Sequence, residues 1–310
     1  MKLHNSPTTY IDKPSVITIG TFDGVHIGHQ KIIKRLITTA KKEGLESVIL
    51  TFFPHPRMVL QKDANIKLLN TISERQEILE QTGLNHLIIK SFTKDFANLS
   101  AHDYVKNILV DELHAKHIII GYDHRFGKNR SANIENLKTY GKEFDFEVEE
   151  ISAEDIENVA VSSTKIRSAL NNGDVATANS YLGYHYFLTG TISKGKGLGK
   201  QIGFPTANIH IEEAYKLIPK NGVYVVKSQS NQQTVFGMMN IGTNPTVNGK
   251  QQSIEVHFFD IDENLYGKTV RVELLHRLRD EQKFGSVALL QEQLKMDREN
   301  SLKFIANIND

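Results

Sequence analysis

The sequence predicts an α/β domain on a parallel sheet, followed by an antiparallel β-barrel that ends in a helix. Three observations lead there. The first half alternates short apolar runs with amphipathic helical stretches, the pattern of a parallel sheet covered on both faces. The second half holds closely spaced β-rich runs without helices between them, the pattern of an antiparallel barrel. The change falls near Asn179–Tyr186, which divides the 310 residues into domains 1–184 and 185–310.

In order along the chain, Val16–Gly20, Ser47–Phe53, His86–Lys90, Lys116–Gly121 and Phe144–Ile151 read as strands. Between them Lys31–Lys42 puts Ile32, Ile33, Leu36, Ile37 and Ala40 on one helical face. Ser73–Gln81 and Ala101–Leu113 also read as helices, the former opened by Ser73-Glu-Arg-Gln76 in the form of a capping box. In the second half Phe187–Ser193, Gly222–Ser228, Thr234–Ile241, Ser253–Phe259 and Thr269–Leu275 read as strands. Asn221-Gly222 and Asn248-Gly249 are turn signals. A final helix over Ser286–Asn307 carries Val287, Leu290, Leu294 and Ile305 among its apolar positions.

Composition narrows the function. A net charge of +1 shows no basic excess for a nucleic-acid footprint, so no nucleic-acid partner is expected. With no cysteine, disulfides, thiolate metal sites and cysteine nucleophiles are excluded. Met1–Tyr10 is polar and no apolar run reaches the ~18–20 residues of a membrane span. A cytoplasmic chain with no membrane partner is the expectation.

The segment Gly20-Thr-Phe-Asp-Gly-Val-His-Ile-Gly-His29 follows a strand and precedes a helix. A helix N-terminus offers unpaired N–H groups and a positive dipole end to an anion. Gly24 and Gly28 permit close backbone approach, and His26 and His29 can donate to phosphate oxygens. Zinc is the weaker reading, because no third ligand stands near these two histidines. Three further segments are expected at the same mouth: Thr51-Phe-Phe-Pro-His-Pro-Arg57, Gly121-Tyr-Asp-His-Arg-Phe-Gly127, and Val161-Ser-Ser-Thr-Lys-Ile-Arg167.

Gly195-Lys-Gly-Leu-Gly-Lys-Gln-Ile-Gly-Phe-Pro-Thr-Ala-Asn208 fits neither the P-loop nor the dinucleotide-binding spacing. Its glycines Gly195, Gly199 and Gly203 can still offer N–H groups to phosphates. The Thr206 hydroxyl and the Asn208 carbonyl are hard oxygen ligands suited to Mg²⁺. In Ser253-Ile-Glu-Val-His-Phe-Phe259, alternation turns Glu255 away from Ile254 and Val256.

The His-x-Gly-His string with the later Ser-Ser-Thr-x-Ile-Arg segment resembles the nucleotidyltransferase superfamily. The longer string Gly-Thr-Phe-Asp-Gly-Val-His-x-Gly-His-Gln is similar to the bacterial bifunctional riboflavin kinase/FAD synthetase family, across nearly the whole chain. The resemblance implies a Rossmann-like nucleotidyltransferase domain and a riboflavin kinase barrel. It implies ATP-dependent phosphorylation of riboflavin to FMN, then adenylylation of FMN to FAD with release of pyrophosphate, and Mg²⁺ in both steps. ATP, ADP, riboflavin, FMN, FAD and pyrophosphate are then the small-molecule partners.

By the same resemblance His26 and His29 stabilise the transferring phosphate. Gly20, Phe22, Asp23, Gly24 and Gly28, with Ser163, Thr164 and Arg167, take the ATP of that reaction. Pro54, His55, Asp123 and Phe126 take the flavin, with His124 departing from the usual aromatic. In the second domain Gly195, Gly199, Gly203 and Asn208 take ATP, Thr206 and Asn208 the metal, and Arg279 in Arg279-Asp-Glu-Gln-Lys-Phe284 the flavin. Glu255, in Ile-Glu-Val-His-x-x-Asp followed by Leu-Tyr-Gly-Lys, is assigned as general base.

Two rivals remain at this level. His26-Ile-Gly-His29 also matches the first signature of an aminoacyl-tRNA synthetase class, but Ser-Ser-Thr-Lys-Ile-Arg does not match the second. A flavin-binding regulator with degenerate sites is opposed by the intact His26, His29, Thr206, Asn208 and Glu255.

Overall fold

A computed structural model describes residues 1–10, 12–61, 65–122, 124–152, 161–195, 198–246, 249–261 and 264–309. The chain forms two compact units, 1–163 and 164–310.

The first unit is a six-stranded, wholly parallel sheet. Its strands are β1 (Lys2–His4), β2 (Ser15–Ile19), β3 (Glu46–Phe53), β4 (His86–Ser91), β5 (Ala115–Gly121) and β6 (Glu147–Ile151). They lie in the order β1-β4-β3-β2-β5-β6. Both faces are buried, and alternation along each strand divides the core. Ile17, Ile19, Val48, Leu50, Ile88, Ile118 and Ile120 go to one side, and Val16, Ile49, Leu87 and Ile119 to the other. The strand order reverses at β2, so the crevice beyond the C-terminal ends of β2 and β5 is the topological switch point, where ligands bind in open sheets.

The helices that cover this sheet are α1 (Ile27–Glu43), α2 (Ile72–Glu80) and α3 (Ile134–Phe144). Several expectations are corrected here. Helix α1 begins inside the histidine motif rather than at Lys31, because His26 is its N-cap. The capping box of α2 is Thr71 with Glu74, two residues before Ser73: the Thr71 hydroxyl accepts from Glu74 N, and Thr71 N donates to the Glu74 carboxylate. Phe144 ends α3, so the last strand starts at Glu147. The span Ala101–Leu113 is one α-turn followed by a π-helix over Tyr104–Glu112. The edge strand β1 and helix α3 were not expected.

The second unit begins with α4 (Ser163–Asn172), whose first residue still counts with the first unit, and α5 (Val175–Leu182). A closed antiparallel barrel follows, made of β7 (Phe187–Ser193), β8 (Ala207–His210), β9 (Gly222–Ser230), β10 (Gln233–Thr246), β11 (Gly249–Phe258) and β12 (Thr269–Arg279). Around it the order is β10-β11-β8-β7-β12-β9, and the chain ends in α6 (Val287–Asn309). Val223, Val225, Met238 and Leu275 pack outward with Ile305 of α6, while the alternate residues Tyr224, Val226, Met239 and Ile241 are fully buried within. The short strand β8 was missed at sequence level, and the expected Asn248 turn residue lies outside the described residues.

Helices α4 and α5 are hydrogen-bonded into this unit. Lys220 N donates to Leu170 O at 3.0 Å, Asn179 Nδ2 to Leu274 O at 2.9 Å, and Tyr186 N to Asn179 Oδ1 at 2.7 Å. Val175, Ala178 and Leu182 are buried.

Candidate functional sites

At the switch point of the sheet the chain leaves β2 through a tight loop. Phe22 (φ 48°), Gly24 (φ 86°) and Val25 (φ 36°) all take positive φ. Val25 is β-branched, and such a residue rarely adopts this conformation unless its surroundings hold it there. Asp23, at the loop's centre, is fully buried. Its Oδ1 accepts from Leu69 N (2.9 Å) and Asn70 N (3.3 Å) and faces Arg75 Nη2 at 3.6 Å. The Asp23 carboxylate therefore organises the loop from inside. Gly28 is buried in the first turn of α1.

His26 caps α1, with Nδ1 accepting from His29 N at 3.4 Å. That assignment leaves its proton on Nε2. The two imidazoles stack with centroids 3.7 Å apart, and Phe22 lies 5.0 Å from His29. His29 is half-buried, and its buried Nδ1 has no hydrogen-bond partner among the described residues. Burial, then the neighbouring His26 and Arg75, holds the His29 pKa well below the ordinary 6.5.

A histidine buried neutral makes the fold acid-sensitive, because below pH 6.5 the unfolded chain binds a proton that the folded chain refuses. The stability present above pH 6.5 is lost as the pH falls toward the folded pKa, at up to about 1.4 kcal/mol per pH unit for one histidine. Melting curves between neutral and acid pH are expected to lose part of this slope in His29→Gln. An unchanged slope would refute the account.

Other predicted residues of the first unit lie at the same strand ends. The Ser163 hydroxyl, still within the first unit, donates to Asp23 O at 2.8 Å. Thr164 and Arg167 follow on α4, with Arg167 one turn beyond Ser163. Gly20 N donates to Leu50 O, and the Thr51 hydroxyl donates to Thr21 O at 3.2 Å, which ties the ends of β2 and β3. After β3 the Phe53–Pro54 bond is cis, and His55 caps a short helix over Pro56–Leu60. After β5 Phe126 is buried and stacks on His124 with centroids 6.0 Å apart. Asp123 lies outside the described residues.

Sequence reasoning missed an aromatic wall here. Phe52, Phe92, Phe96, Tyr104 and Phe126 form a chain with neighbouring centroids 5.5–5.9 Å apart. They come from four stretches of the chain, with only Phe92 and Phe96 near one another in sequence, so no local pattern announces them.

On the barrel a second polar cluster forms by register. Asn240 of β10 pairs with Glu255 of β11, Glu255 with Asn208 of β8, and Asn208 with Ser193 of β7. Directly paired residues share a face, so these four make a row across four strands. It lies on the outer face with Met238, while Ile254 and Val256 point inside as expected. The Thr206 hydroxyl donates to Glu255 Oε2 at 3.3 Å, and the His257 ring N–H donates to Pro205 O at 2.8 Å. The segment Phe204–Asn208 is thereby fastened along β11.

Gly195 stands close against Asn208 of this row. A Cβ on Gly195 would collide with the Asn208 side-chain amide and push it aside. Gly199 accepts from Phe204 N at 2.8 Å, and Gly203 has a left-handed φ of 82°. Thr206, Asn208 and Glu255 together offer hard oxygen donors, a set that fits a divalent cation beside phosphates. Arg279 binds Asp297 of α6 through Nε (2.9 Å) and Nη2 (2.7 Å), and its Nη1 donates to Asp280 O. The guanidinium also lies over Phe284 at 5.8 Å. Its visible work is to anchor the terminal helix.

Known proteins resemble both units. A family model described as FAD synthetase matches residues 8–165, and one described as riboflavin kinase matches residues 182–305. A bifunctional riboflavin kinase/FMN adenylyltransferase of Listeria monocytogenes is 38% identical over 99% of this chain and 98% of its own. Its counterpart in Bacillus subtilis is 36% identical over 95% and 93%, and that of Escherichia coli strain K12 33% identical over 93% and 92%. A Streptococcus pneumoniae crystal structure described as a macrolide-efflux protein is 33% identical, with a TM-score of 0.88 over 97% of this chain and 98% of that one. Among the described residues of this chain no helix is long and apolar enough to cross a membrane. Two family models in succession and similarity along almost the full length agree: the chain belongs to the bifunctional riboflavin kinase/FMN adenylyltransferase family, whose two ATP-dependent activities make FMN and FAD.

Proposed function

We propose that the two activities divide as adenylyl transfer in residues 1–184 and riboflavin phosphorylation in residues 185–310, each with the residues described above. The observation that carries this reading is the pair of separate polar clusters, stacked His26 and His29 at a helix N-terminus and the Glu255 row on the barrel.

In adenylyl transfer an FMN phosphate oxygen attacks the α-phosphorus of ATP, the bond to pyrophosphate breaks, and pyrophosphate leaves. The nucleophile is already ionised, so the protein's part is positioning and charge stabilisation rather than proton removal. His26 donates from Nε2, and His29 and the N-terminus of α1 add donors beside it. The backbone of Gly20–Gly24 and Gly28 lines the ATP, Ser163, Thr164 and Arg167 take its phosphates, and Pro54, His55, Asp123 and Phe126 take the flavin.

In the kinase reaction Glu255 accepts the proton of the ribityl 5′-hydroxyl as its oxygen bonds to the γ-phosphorus and the bond to ADP breaks. Thr206 and Asn208 hold Mg²⁺, which supplies charge neutralisation at the phosphates. Gly195, Gly199 and Gly203 cradle the nucleotide, and Arg279 borders the flavin with the face that packs near Phe284. A cytoplasmic location is part of the same reading, since both reactions draw on ATP.

Separating flavins after incubation with riboflavin and MgATP tests the whole reading, and FMN followed by FAD is the expected result. Fragments test the division. A fragment over 161–310 is expected to phosphorylate riboflavin and to form no FAD. One over 185–310 loses the buried Val175 and Leu182, worth about 3 kcal/mol or more of burial, and the Asn179 bond to Leu274. It should melt lower than the longer fragment. A folded 161–310 without kinase activity would refute independent sites.

A further inference from the structure

Arg75 belongs to none of the segments assigned to ATP or flavin, yet its side chain is only 2% exposed and meets the histidine loop. We propose that Arg75 is a positioning residue for adenylyl transfer, a buried clamp that holds the strained loop after β2 against the end of β3 and so sets where the stacked histidines stand. This rests on the reading that His26 and His29 meet the transferring phosphate.

The guanidinium reaches in two directions. Nη2 faces Asp23 Oδ1 at 3.6 Å, inside the loop whose residues Phe22, Gly24 and Val25 have positive φ. Nη1 donates to the Thr51 hydroxyl at 3.4 Å, and that hydroxyl donates to Thr21 O at 3.2 Å. Loop and strand end are thus held by one rigid, planar group, a task that a lysine's single point charge does not reproduce.

The carboxylate side is fixed as firmly. Asp23 accepts from Leu69 N and Asn70 N, in the turn just before α2. The Thr71–Glu74 capping box sets that turn, one helical turn from Arg75 itself. The Ser163 hydroxyl holds the main chain of Asp23. Three residues after Asp23 comes His26, stacked on His29. A strained backbone persists only where its surroundings over-determine it, and the Asp23–Arg75 pair is the part of those surroundings that α2 supplies. Buried as it is, Arg75 acts through Asp23 and Thr51 rather than on substrate.

The test compares Arg75→Met, Arg75→Lys and the double variant Asp23→Asn/Arg75→Met in the full-length protein. In Arg75→Met, kcat for FAD formation from FMN is expected to fall about 10²-fold, the scale of an ångström-sized misplacement. KM for ATP and FMN should stay within about threefold, and FMN formation from riboflavin should not change. Arg75→Lys should recover only part of kcat. The double variant removes the buried negative charge that Arg75→Met leaves uncompensated by a guanidinium, so it should recover melting temperature without kcat. In ¹³C-histidine-labelled protein the His26 and His29 ring resonances should move in Arg75→Met.

A folded Arg75→Met with normal kcat overturns the proposal, as do unmoved histidine resonances. Recovery of kcat together with melting temperature in the double variant also overturns it, leaving a structural pair only. His29→Ala in parallel separates the two readings. Full adenylyl transfer in His29→Ala sinks the histidine assignment itself, whereas a crippled His29→Ala beside a normal Arg75→Met sinks the clamp alone.

Discussion

Glu255→Gln is expected to lower FMN formation by roughly 10²–10⁴ in rate, the usual scale for a lost general base, while FAD formation from supplied FMN continues. The substitution keeps the size of the side chain and can still accept from the Thr206 hydroxyl, which lies 3.3 Å from the carboxylate. The strand pairing of β11 with β8 and β10 is made by main chain and survives it. What is lost is the basic oxygen at the centre of the Asn240–Glu255–Asn208–Ser193 row. Riboflavin offers an alcohol, which must give up its proton as it attacks, so the kinase step is the one that suffers. Single-turnover rates at saturating riboflavin and MgATP make the measurement. Normal turnover with a raised KM would make Glu255 a binding residue, and equal loss of both activities in a folded protein would contradict two separate sites.

His29→Ala should suppress FAD formation from FMN by about 10²–10³ in rate, the cost of one transition-state donor, and leave FMN formation intact. The expectation comes from geometry on the first unit. His29 stacks on His26 at 3.7 Å in the first turn of α1, and its buried Nδ1 has no hydrogen-bond partner among the described residues. Alanine removes one donor and the stacking surface that orients the other, while His26 can still cap the helix through His29 N. Flavin separation with FMN and ATP as substrates reads the loss, and riboflavin with ATP reads the control. Full adenylyl transfer in the folded variant would exclude the role.

Much of the first unit was legible because buried parallel strands read as apolar runs wherever they occur. Ile17, Ile49 and Ile118–Ile120 announce themselves without any partner being known. The histidine loop was legible for a similar reason, since strand, glycines, histidines and helix are contiguous. The misread parts needed information from elsewhere in the chain. Edge strand β1 has three residues, and only its pairing with β4 makes it a strand. The Tyr104–Glu112 stretch carries the apolar content of an ordinary helix, and its wider hydrogen-bond ladder leaves no mark in composition. The capping box shifted to Thr71 because Thr71 and Glu74 meet the same spacing rule two residues earlier than the Ser73 string. Arg75 had one sign that was overlooked, a charge on the face of α2 that also buries Leu79.

By itself the sequence determined the two-domain order, the parallel-then-barrel architecture, the family and the two reactions, because each rests on contiguous residues whose chemistry is local. The tertiary structure decided the rest. It set Asp23 against Arg75 across 52 positions of sequence, aligned Asn240, Glu255, Asn208 and Ser193 by strand register, gathered five aromatics beyond the sheet, and turned Arg279 toward Asp297. A residue's type and local spacing fix what it can bond, but which partner it meets depends on where distant segments are packed, and only the closed, buried fold specifies that.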